Sequence, residues 1–157
     1  MILMKYFTDL LSNVFVITAI ASWAEAQVLK TMIHAIVNKK FDITRLFGDG
    51  GMPSGHSATV TSLATCIGLV EGFDSVEFAI AGIVAVVVCH DASGVRLETG
   101  KQTTVLNEIQ KTLELLTSEK MPEVKLKEFV GHTHSQVVAG SLMGIINAII
   151  VYNIFLK

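Results

Sequence analysis

Residues 50–57 read Gly-Gly-Met-Pro-Ser-Gly-His-Ser and stand directly before an apolar run that extends to Val70. The glycines free the backbone, the proline restricts the turn, and Ser54 and Gly55 present amide hydrogens where a helix begins. A helix N-terminus of this kind favours a bound anion. His56 adds a group that can donate or accept a proton. The stretch predicts a phosphate-binding turn with an acid–base residue beside it.

A second histidine cluster, Gly-His-Thr-His-Ser at residues 131–135, stands before another apolar run far downstream. Two histidines, each at the start of a helix, predict one composite site for phosphoryl chemistry in which His56 and His132 converge. His134 is interpreted as incidental to that site.

The composition indicates a membrane protein with one domain, residues 1–157. Hydrophobic residues make up 51% of the chain and charged residues 17%, and the mean hydropathy is +0.57. Residues 135–155 carry no charged side chain, and their length suffices to cross a hydrocarbon core of about 30 Å. We expect an all-α integral membrane bundle of about four main helices, near residues 9–37, 56–72, 75–91 and 135–156. The runs 57–70 and 76–89 are short for spans, so a soluble helical bundle remains the alternative.

An amphipathic helix is predicted within the polar stretch between the third and fourth main helices. Its apolar positions recur at helical spacing and are Val105, Leu106, Ile109, Leu113 and Leu116. Such a helix could lie on the membrane, cover the site or pack on the bundle.

The charge distribution predicts an orientation. The net charge of −2 gives no reason to expect a nucleic-acid partner. Most Lys and Arg residues lie in the two polar loops, whereas the turn between the second and third main helices is acidic, with Glu71, Asp74 and Glu77. We expect a multi-pass protein of the cell membrane with the basic loops, and therefore the site, in the cytoplasm.

Small residues at 140, 144 and 148 form a stripe that allows close helix packing. Packing within the chain is the default, and a homodimer is the alternative. Cys66 and Cys89 lie in apolar helices without metal-type spacing, so no metal site is predicted.

The motifs at residues 50–58, 91–96 (Asp-Ala-Ser-Gly-Val-Arg) and 131–133 (Gly-His-Thr) occur together in this order. In this, the chain resembles the divergent branch of the type-2 phosphatidic acid phosphatase superfamily, described as acid phosphatase/vanadium-dependent haloperoxidase-related. The likeness covers about residues 26–144. It implies a membrane-embedded helical core and a phosphoryl transfer that uses a phosphohistidine and neither metal nor other cofactor.

The resemblance also implies roles for individual residues. His132 maps to the nucleophile and His56 to the general acid that protonates the leaving oxygen. The phosphate oxygens would be held by Ser54, Gly55 and Arg96, together with a Lys/Arg pair formed by Lys39 or Lys40 and Arg45, with Lys30 as a third candidate lysine. His56 as a helix cap and His132 as an interfacial polar residue are the alternatives.

The chain departs from the family pattern at several positions. The upstream lysine and arginine are more closely spaced than in the family, and Arg96 lies far from His132 in sequence. Gln136 stands one helical turn after His132, where the family has an acid that orients the nucleophile. Gln can hydrogen-bond the imidazole but cannot stabilise its positive charge. Asp91 could supply the missing carboxylate, or could instead pair with Arg96.

Together these observations predict a metal-independent phosphoric ester hydrolase that acts on a lipid phosphate or a related phosphomonoester or diphosphate in the bilayer. The alternative is a non-catalytic membrane protein that binds or moves phosphorylated lipids, which Gln136 favours. A haloperoxidase is a third interpretation, because a phosphate site can also hold vanadate, but the chain shows no added halide-binding residues.

Overall fold

The computed structural model describes residues 2–43, 46, 48, 50–117 and 131–157. Its helices are α1 (Ile2–Leu11), α2 (Val14–Asn38), α3 (Gly55–Glu71), α4 (Val76–Ser93), α5 (Val95–Thr117) and α6 (His134–Val151), and α6 ends in a π-helical turn (Tyr152–Leu156). The described part of the chain contains no strand, and the predicted all-α class is confirmed. The four predicted main helices correspond to α2, α3, α4 and α6.

The first predicted helix is divided in two near Asn13. The Asn13 side-chain oxygen accepts hydrogen bonds from the backbone N–H groups of Phe15 at 3.0 Å and Val16 at 3.2 Å. Asparagine at this position satisfies the free N–H groups of a new helix, so α2 begins here instead of continuing α1. The two helices meet at an angle of 56°.

Helix α3 lies at the centre of the bundle and packs against α2, α4 and α6. It runs parallel to α6, since Gly140 lies against the Ser54 backbone and Gly144 lies one turn further along, against Ala58. A Cβ atom at Gly140 would overlap the carbonyl oxygen of Ser54. The predicted small-residue stripe is thus used for helix packing within the chain, and a homodimer would need another surface.

Burial is inverted relative to a water-soluble domain. The largest fully buried side chains are small and mostly polar: Thr18, Cys66, Ser22, Ser54, Ser57 and Ser62. Large aliphatic side chains on α4, such as Ile83 and Val86, are 66% and 65% exposed. Buried polar groups link the helices, as where Asn147 donates to the Ser22 hydroxyl at 2.7 Å. A bundle with small residues inside and large aliphatic residues outside is arranged for surrounding lipid.

Within the described residues, two helical stretches are long and apolar enough to cross a membrane, Val76–Thr117 and His134–Leu156. A third is obtained if the bent pair α1 and α2 counts as one span. Helix α3 has 17 residues, which corresponds to about 25 Å, less than a hydrocarbon core of roughly 30 Å. By length and composition, two or three of the described helical stretches can therefore cross a membrane, around a central α3.

The amphipathic helix α5 follows α4 almost without interruption. Gly94 alone separates them, and its N–H donates to the His90 carbonyl at 2.8 Å. Of the described helices, α5 contacts only α4, and apolar side chains such as Leu106 and Ile109 are exposed. The predicted helix is confirmed, but it begins at Val95 and extends beyond the bundle on the side where α3 and α6 begin.

Candidate active site

The end of α4 lies beside the starts of α3 and α6. The Ser54 N–H donates to the Gln136 carbonyl at 3.0 Å, and the His132 N–H donates to the Ala92 carbonyl at 2.9 Å. These bonds fix the start of α3 and the end of α4 to the segment that leads into α6. Because α3 and α6 are parallel, the positive ends of both helix dipoles lie at this place, where an anion is stabilised.

The two histidines singled out in the sequence lie side by side here. The ring centroids of His56 and His132 are 6.0 Å apart, with 63° between the ring planes. His132 is 3% exposed, whereas His56 is exposed. Both border a pocket of about 110 Å³ that is lined by Trp23, Gln27, Lys30, Gly48, Gly55, His56 and His132. A single anion in this pocket can contact both rings.

Lys30 supplies the positive charge of the pocket. It is only 6% exposed, and its Nζ donates to Gln27 Oε1 at 2.7 Å and to the Gly48 carbonyl at 3.4 Å. A buried ammonium needs such partners, because taking a charge out of water is costly. None of the described residues that line the pocket is acidic. Lys30 and the two imidazoles therefore form a site suited to an anion.

The surroundings of His132 keep its ring neutral. Burial lowers the pKa of His132 below its usual value, and the positive charges of Lys30 and His56 act in the same direction. Hydrogen bonds to Gln136 and to the Gly51 backbone oppose this shift but are outweighed. A neutral imidazole carries a nitrogen lone pair, so His132 is prepared at neutral pH to act as a nucleophile or base.

Gln136 selects which nitrogen of His132 carries the hydrogen. Its side-chain oxygen accepts from the Thr133 N–H at 3.1 Å, within the capping box that begins α6. A backbone N–H can only donate, so this atom of Gln136 is the amide oxygen. The same oxygen lies 3.2 Å from Nδ1 of His132. In the neutral ring Nδ1 is then the donor and Nε2 carries the lone pair that can attack, whereas the hydrogen bond to the Gly51 backbone stabilises the charged ring.

For the phosphoryl transfer that the sequence predicts, Gln136→Glu is expected to move the pH profile to higher pH. A carboxylate beside Nδ1 raises the pKa of His132 and keeps the capping box intact. Because the neutral ring is the active form, the acid limb of kcat/KM should shift upward by about one to two pH units. The rate above that limb should rise by about tenfold, since a carboxylate stabilises the charged ring.

Gln136→Leu is the control for this change, because it removes the hydrogen bond and adds no charge. It should lower the rate without any upward shift of the acid limb. An unchanged pH profile in Gln136→Glu would contradict the contact between Gln136 and Nδ1.

Of the other predicted phosphate-binding residues, the structure places some at the pocket and others away from it. Gly55 lines the pocket. Ser54 is fully buried and caps α3, where its hydroxyl accepts from the N–H of Ser57 at 3.3 Å. Lys39 and Lys40 are exposed at the end of α2, and neither is among the described residues that line the pocket. Arg45 lies outside the described residues.

Asp91 and Arg96 bind each other on the outside of the bundle. Arg96 Nε lies 2.8 Å from an oxygen of the Asp91 carboxylate, and both side chains are nearly half exposed. The second sequence alternative for Asp91, a salt bridge with Arg96, is the contact that the structure shows. The described partners of the His132 ring include Gln136, Gly51 and His56, and Asp91 is not among them.

Sequence reasoning missed three residues that line the pocket: Trp23, Gln27 and the Gly48 carbonyl. Gln27 carried a usable signal, because it precedes Lys30 by one helical turn and interrupts an apolar helix. Trp23 and Gly48 gave no such signal. Aromatic residues are common in membrane helices, and glycines are common in turns.

Comparison with known proteins gives the family. The model described as the divergent PAP2 family matches residues 11–147, a range that includes both histidines and Lys30. The chain belongs to this family. One relative, in Bacillus subtilis (strain 168), is named uncharacterized membrane protein YuiD; it is 37% identical, and the match covers 94% of this chain and 99% of the relative. No solved structure matches the chain.

Membership in the divergent PAP2 family and the apolar helices both indicate the same general class of protein. It is a helical membrane protein related to phosphatases. The predicted resemblance is thereby confirmed.

Proposed function

We propose that this protein is a membrane phosphatase that hydrolyses a lipid phosphate or a related phosphomonoester or diphosphate through a phosphohistidine. The observation that carries the proposal is the pair His56 and His132, 6.0 Å apart at one pocket with the buried Lys30. Phosphoryl transfer needs positioned cations and a proton donor, and these three side chains provide both.

The first step transfers the phosphoryl group to His132. Nε2 attacks phosphorus, and the bond from phosphorus to the ester oxygen breaks. His56 in its protonated form gives its proton to that oxygen, and the alcohol leaves. Lys30 and the N–H groups at the start of α3 stabilise the negative charge on the phosphoryl oxygens. A histidine nucleophile is effective near neutral pH, since its lone pair needs no further activation.

The second step regenerates His132. Water attacks phosphorus while His56, now neutral, takes one of its protons, and the bond between Nε2 and phosphorus breaks. Inorganic phosphate is released and His56 is again protonated. The same residue thus acts as acid in the first step and base in the second.

The proposal is tested by phosphate release from a panel of lipid phosphates, with the protein in detergent and a chelator present. We expect release, and we expect His56→Ala to lower it by about 10² to 10⁴-fold for alkyl phosphates. The loss in kcat/KM, which reports the first step only, should be much smaller for p-nitrophenyl phosphate, because its leaving oxygen needs no proton. An equal loss in kcat/KM for both substrates would contradict the general-acid role of His56.

A second candidate function is binding of phosphorylated lipids without turnover. The observation in its favour is that Gln136, a neutral residue, is the partner of His132 Nδ1, so the charged ring formed during transfer has no carboxylate to stabilise it. Tight binding of a lipid phosphate without phosphate release would establish this function in place of the first.

We also propose that the protein lies in the cell membrane and that its pocket faces the cytoplasm. At the end of the bundle that holds the pocket, the described basic residues include Lys39, Lys40 and Lys101. Glu71 and Asp74 lie at the opposite end of α3. Basic segments stay on the cytoplasmic side. A cysteine placed at Lys39 should react with an impermeant thiol reagent only after the cells are opened, and reaction in intact cells would reverse the orientation.

A further inference from the structure

Gln27 lies on α2 one helical turn before Lys30, and the two proposed steps give it no part in the reaction. It is 6% exposed, and it lines the pocket together with both histidines. A carboxamide buried to this extent normally has partners for its oxygen and for its nitrogen, because an unpaired polar group is costly away from water. Among the described residues, the Gln27 amide has a partner at its oxygen only.

That partner is the Lys30 ammonium. Nζ of Lys30 lies 2.7 Å from Oε1 of Gln27. An ammonium can only donate, so the atom facing it is the amide oxygen, and Nε2 on the other side of the amide carries the N–H donors. Within the described part of the chain, no group accepts a hydrogen bond from this nitrogen.

The Nε2 group of Gln27 is open to a ligand. Among the described side chains that are not exposed, Nδ1 of His34 is the only N or O atom that is both fully buried and unpartnered. Nε2 of Gln27 has no acceptor either, so it must keep surface that a ligand can reach. The cavity that Gln27 lines is the pocket with His56 and His132.

The Gln27 amide also lies beside the start of α3. A Cβ atom at Gly55 would be 3.8 Å from Oε1 of Gln27 and 3.4 Å from Cδ1 of Trp23. The start of a helix favours an anion because its backbone N–H groups point outward. The N–H donors of Gln27 are therefore close to both the Lys30 ammonium and the start of α3, and one anion can contact all three.

We propose that Gln27 is a further phosphate-binding residue, whose Nε2 donates to a phosphoryl oxygen while its Oε1 positions the Lys30 ammonium. The inference rests on the proposed function and adds a residue to its site. The oxygen of the amide holds the cation, and the nitrogen contacts the anion that this cation attracts. Because Lys30 fixes the oxygen, the donor is oriented before the substrate binds, which reduces the cost of ordering it.

The test separates this role from positioning of Lys30 alone. Lys30→Met leaves no ammonium to position, so a purely positioning Gln27 can be replaced in this background without further loss. If Nε2 binds phosphate, adding Gln27→Met should weaken the affinity for inorganic phosphate by about tenfold, the effect of losing one hydrogen bond to a charged group. The affinity is measured from the rise in Tm with added phosphate, which needs no turnover.

Stability without phosphate should change in the opposite direction. Lys30→Met leaves Oε1 of Gln27 buried without a donor, and the second methionine removes that unsatisfied amide. The double variant should therefore unfold at a higher temperature than Lys30→Met alone. Weaker phosphate binding by a more stable protein is not explained by a folding defect.

Gln27→Glu gives the same decision if the double variant does not fold. Glutamate keeps an oxygen for Lys30 and places a second oxygen where Nε2 stood. A role through Lys30 alone limits the loss of phosphate affinity to that of Lys30→Met, whereas an oxygen that faces the phosphate repels it and makes the loss larger. An equal or smaller loss in Gln27→Glu would overturn the proposed contact.

Asn147→Leu, also made in the Lys30→Met background, is the matched control. Asn147 is another buried amide, which donates to Ser22 and does not line the pocket. It should lower stability and leave phosphate affinity within about twofold. Equal affinity in Lys30→Met and the double variant would overturn the role of Gln27 while phosphate release by the parent protein still supported the phosphatase. Phosphate binding that weakens as expected, in a parent protein that releases none, would instead defeat the phosphatase and retain Gln27 as a binding residue.

Discussion

His132→Ala is expected to remove phosphate release from every substrate, by roughly 10⁴-fold or more, because it takes away the attacking nitrogen. The covalent intermediate should disappear with it. A substrate carrying labelled phosphate, quenched in alkali, should leave label on the parent protein and none on the variant. Phosphohistidine survives alkali and is lost in acid, so the label should show that same pattern of stability.

The neighbouring His134 provides the control. It is exposed on the first turn of α6 and is not among the residues that line the pocket. His134→Ala should retain both activity and label, although it alters the same segment. Label that persists in His132→Ala, or that is lost in His134→Ala instead, would assign the nucleophile to a different residue.

His56→Ala should affect the label in the opposite way. With p-nitrophenyl phosphate the first step needs no acid, but the second still needs a base to accept a proton from water. Labelled protein should therefore accumulate in this variant. The two histidines are thus distinguished by the fate of the intermediate, since loss of one prevents its formation and loss of the other slows its breakdown.

The two histidines could be paired from the sequence because each stands where a glycine-containing turn leads into an apolar helix. Such turns mark helix starts, and two parallel helices that pack closely bring their starts together. The stripe at Gly140 and Gly144 made close packing predictable as well, since small residues allow two helix backbones to approach. Helix bounds followed from the same signals, with α3 and α6 each beginning within one residue of the predicted position.

Other parts depended on contacts that no local signal reports. The choice among Lys30, Lys39 and Lys40 depends on how the segment after α2 folds back, which brings the Gly48 carbonyl to the lysine on the inner face of α2. Local spacing favoured the pair near Arg45, whereas burial favours Lys30. The break at Asn13 was missed because apolar periodicity continues across it, and only the hydrogen bonds of the Asn13 side chain reveal a new helix.

The role of Gln136 was only half visible in the sequence. Its lack of charge was evident, and this lowered the expected activity. Its place in the capping box of α6 was not used, although Thr133 and Gln136 have the required spacing. The box holds the amide oxygen toward Nδ1, so a neutral residue can still orient the nucleophile. In the proposed mechanism Gln136 therefore keeps one of the two functions of the usual acid, orientation of the ring, and lacks the other, its charge.

Lys30→Met is the second change with a large expected effect. Methionine keeps much of the length of the side chain but removes the charge that, in the proposed mechanism, stabilises the phosphoryl oxygens. We expect kcat/KM to fall by about 10² to 10³-fold, the usual effect of losing one such group. The acid limb of the pH profile should also move upward, because the Lys30 charge helps to lower the pKa of His132. Both effects would be measured with p-nitrophenyl phosphate.

Stability must be followed in the same experiment. Without the ammonium, Gln27 Oε1 and the Gly48 carbonyl lose their donor, which costs about 1–3 kcal/mol for each group left unsatisfied. Thermal unfolding in detergent separates this loss from loss of catalysis. Lys30→Gln restores a donor without a charge, so it should recover stability more than activity.

Lys39→Met and Lys40→Met are the matched controls, since both lysines are exposed at the end of the same helix. Exposed charges that do not line the pocket contribute little, and activity should stay within about twofold of the parent value. Loss of activity in either of them, with Lys30→Met active and folded, would transfer the phosphate clamp to the end of α2. The buried position of Lys30 predicts the opposite, because the same charge acts far more strongly when it is buried than on an exposed helix end.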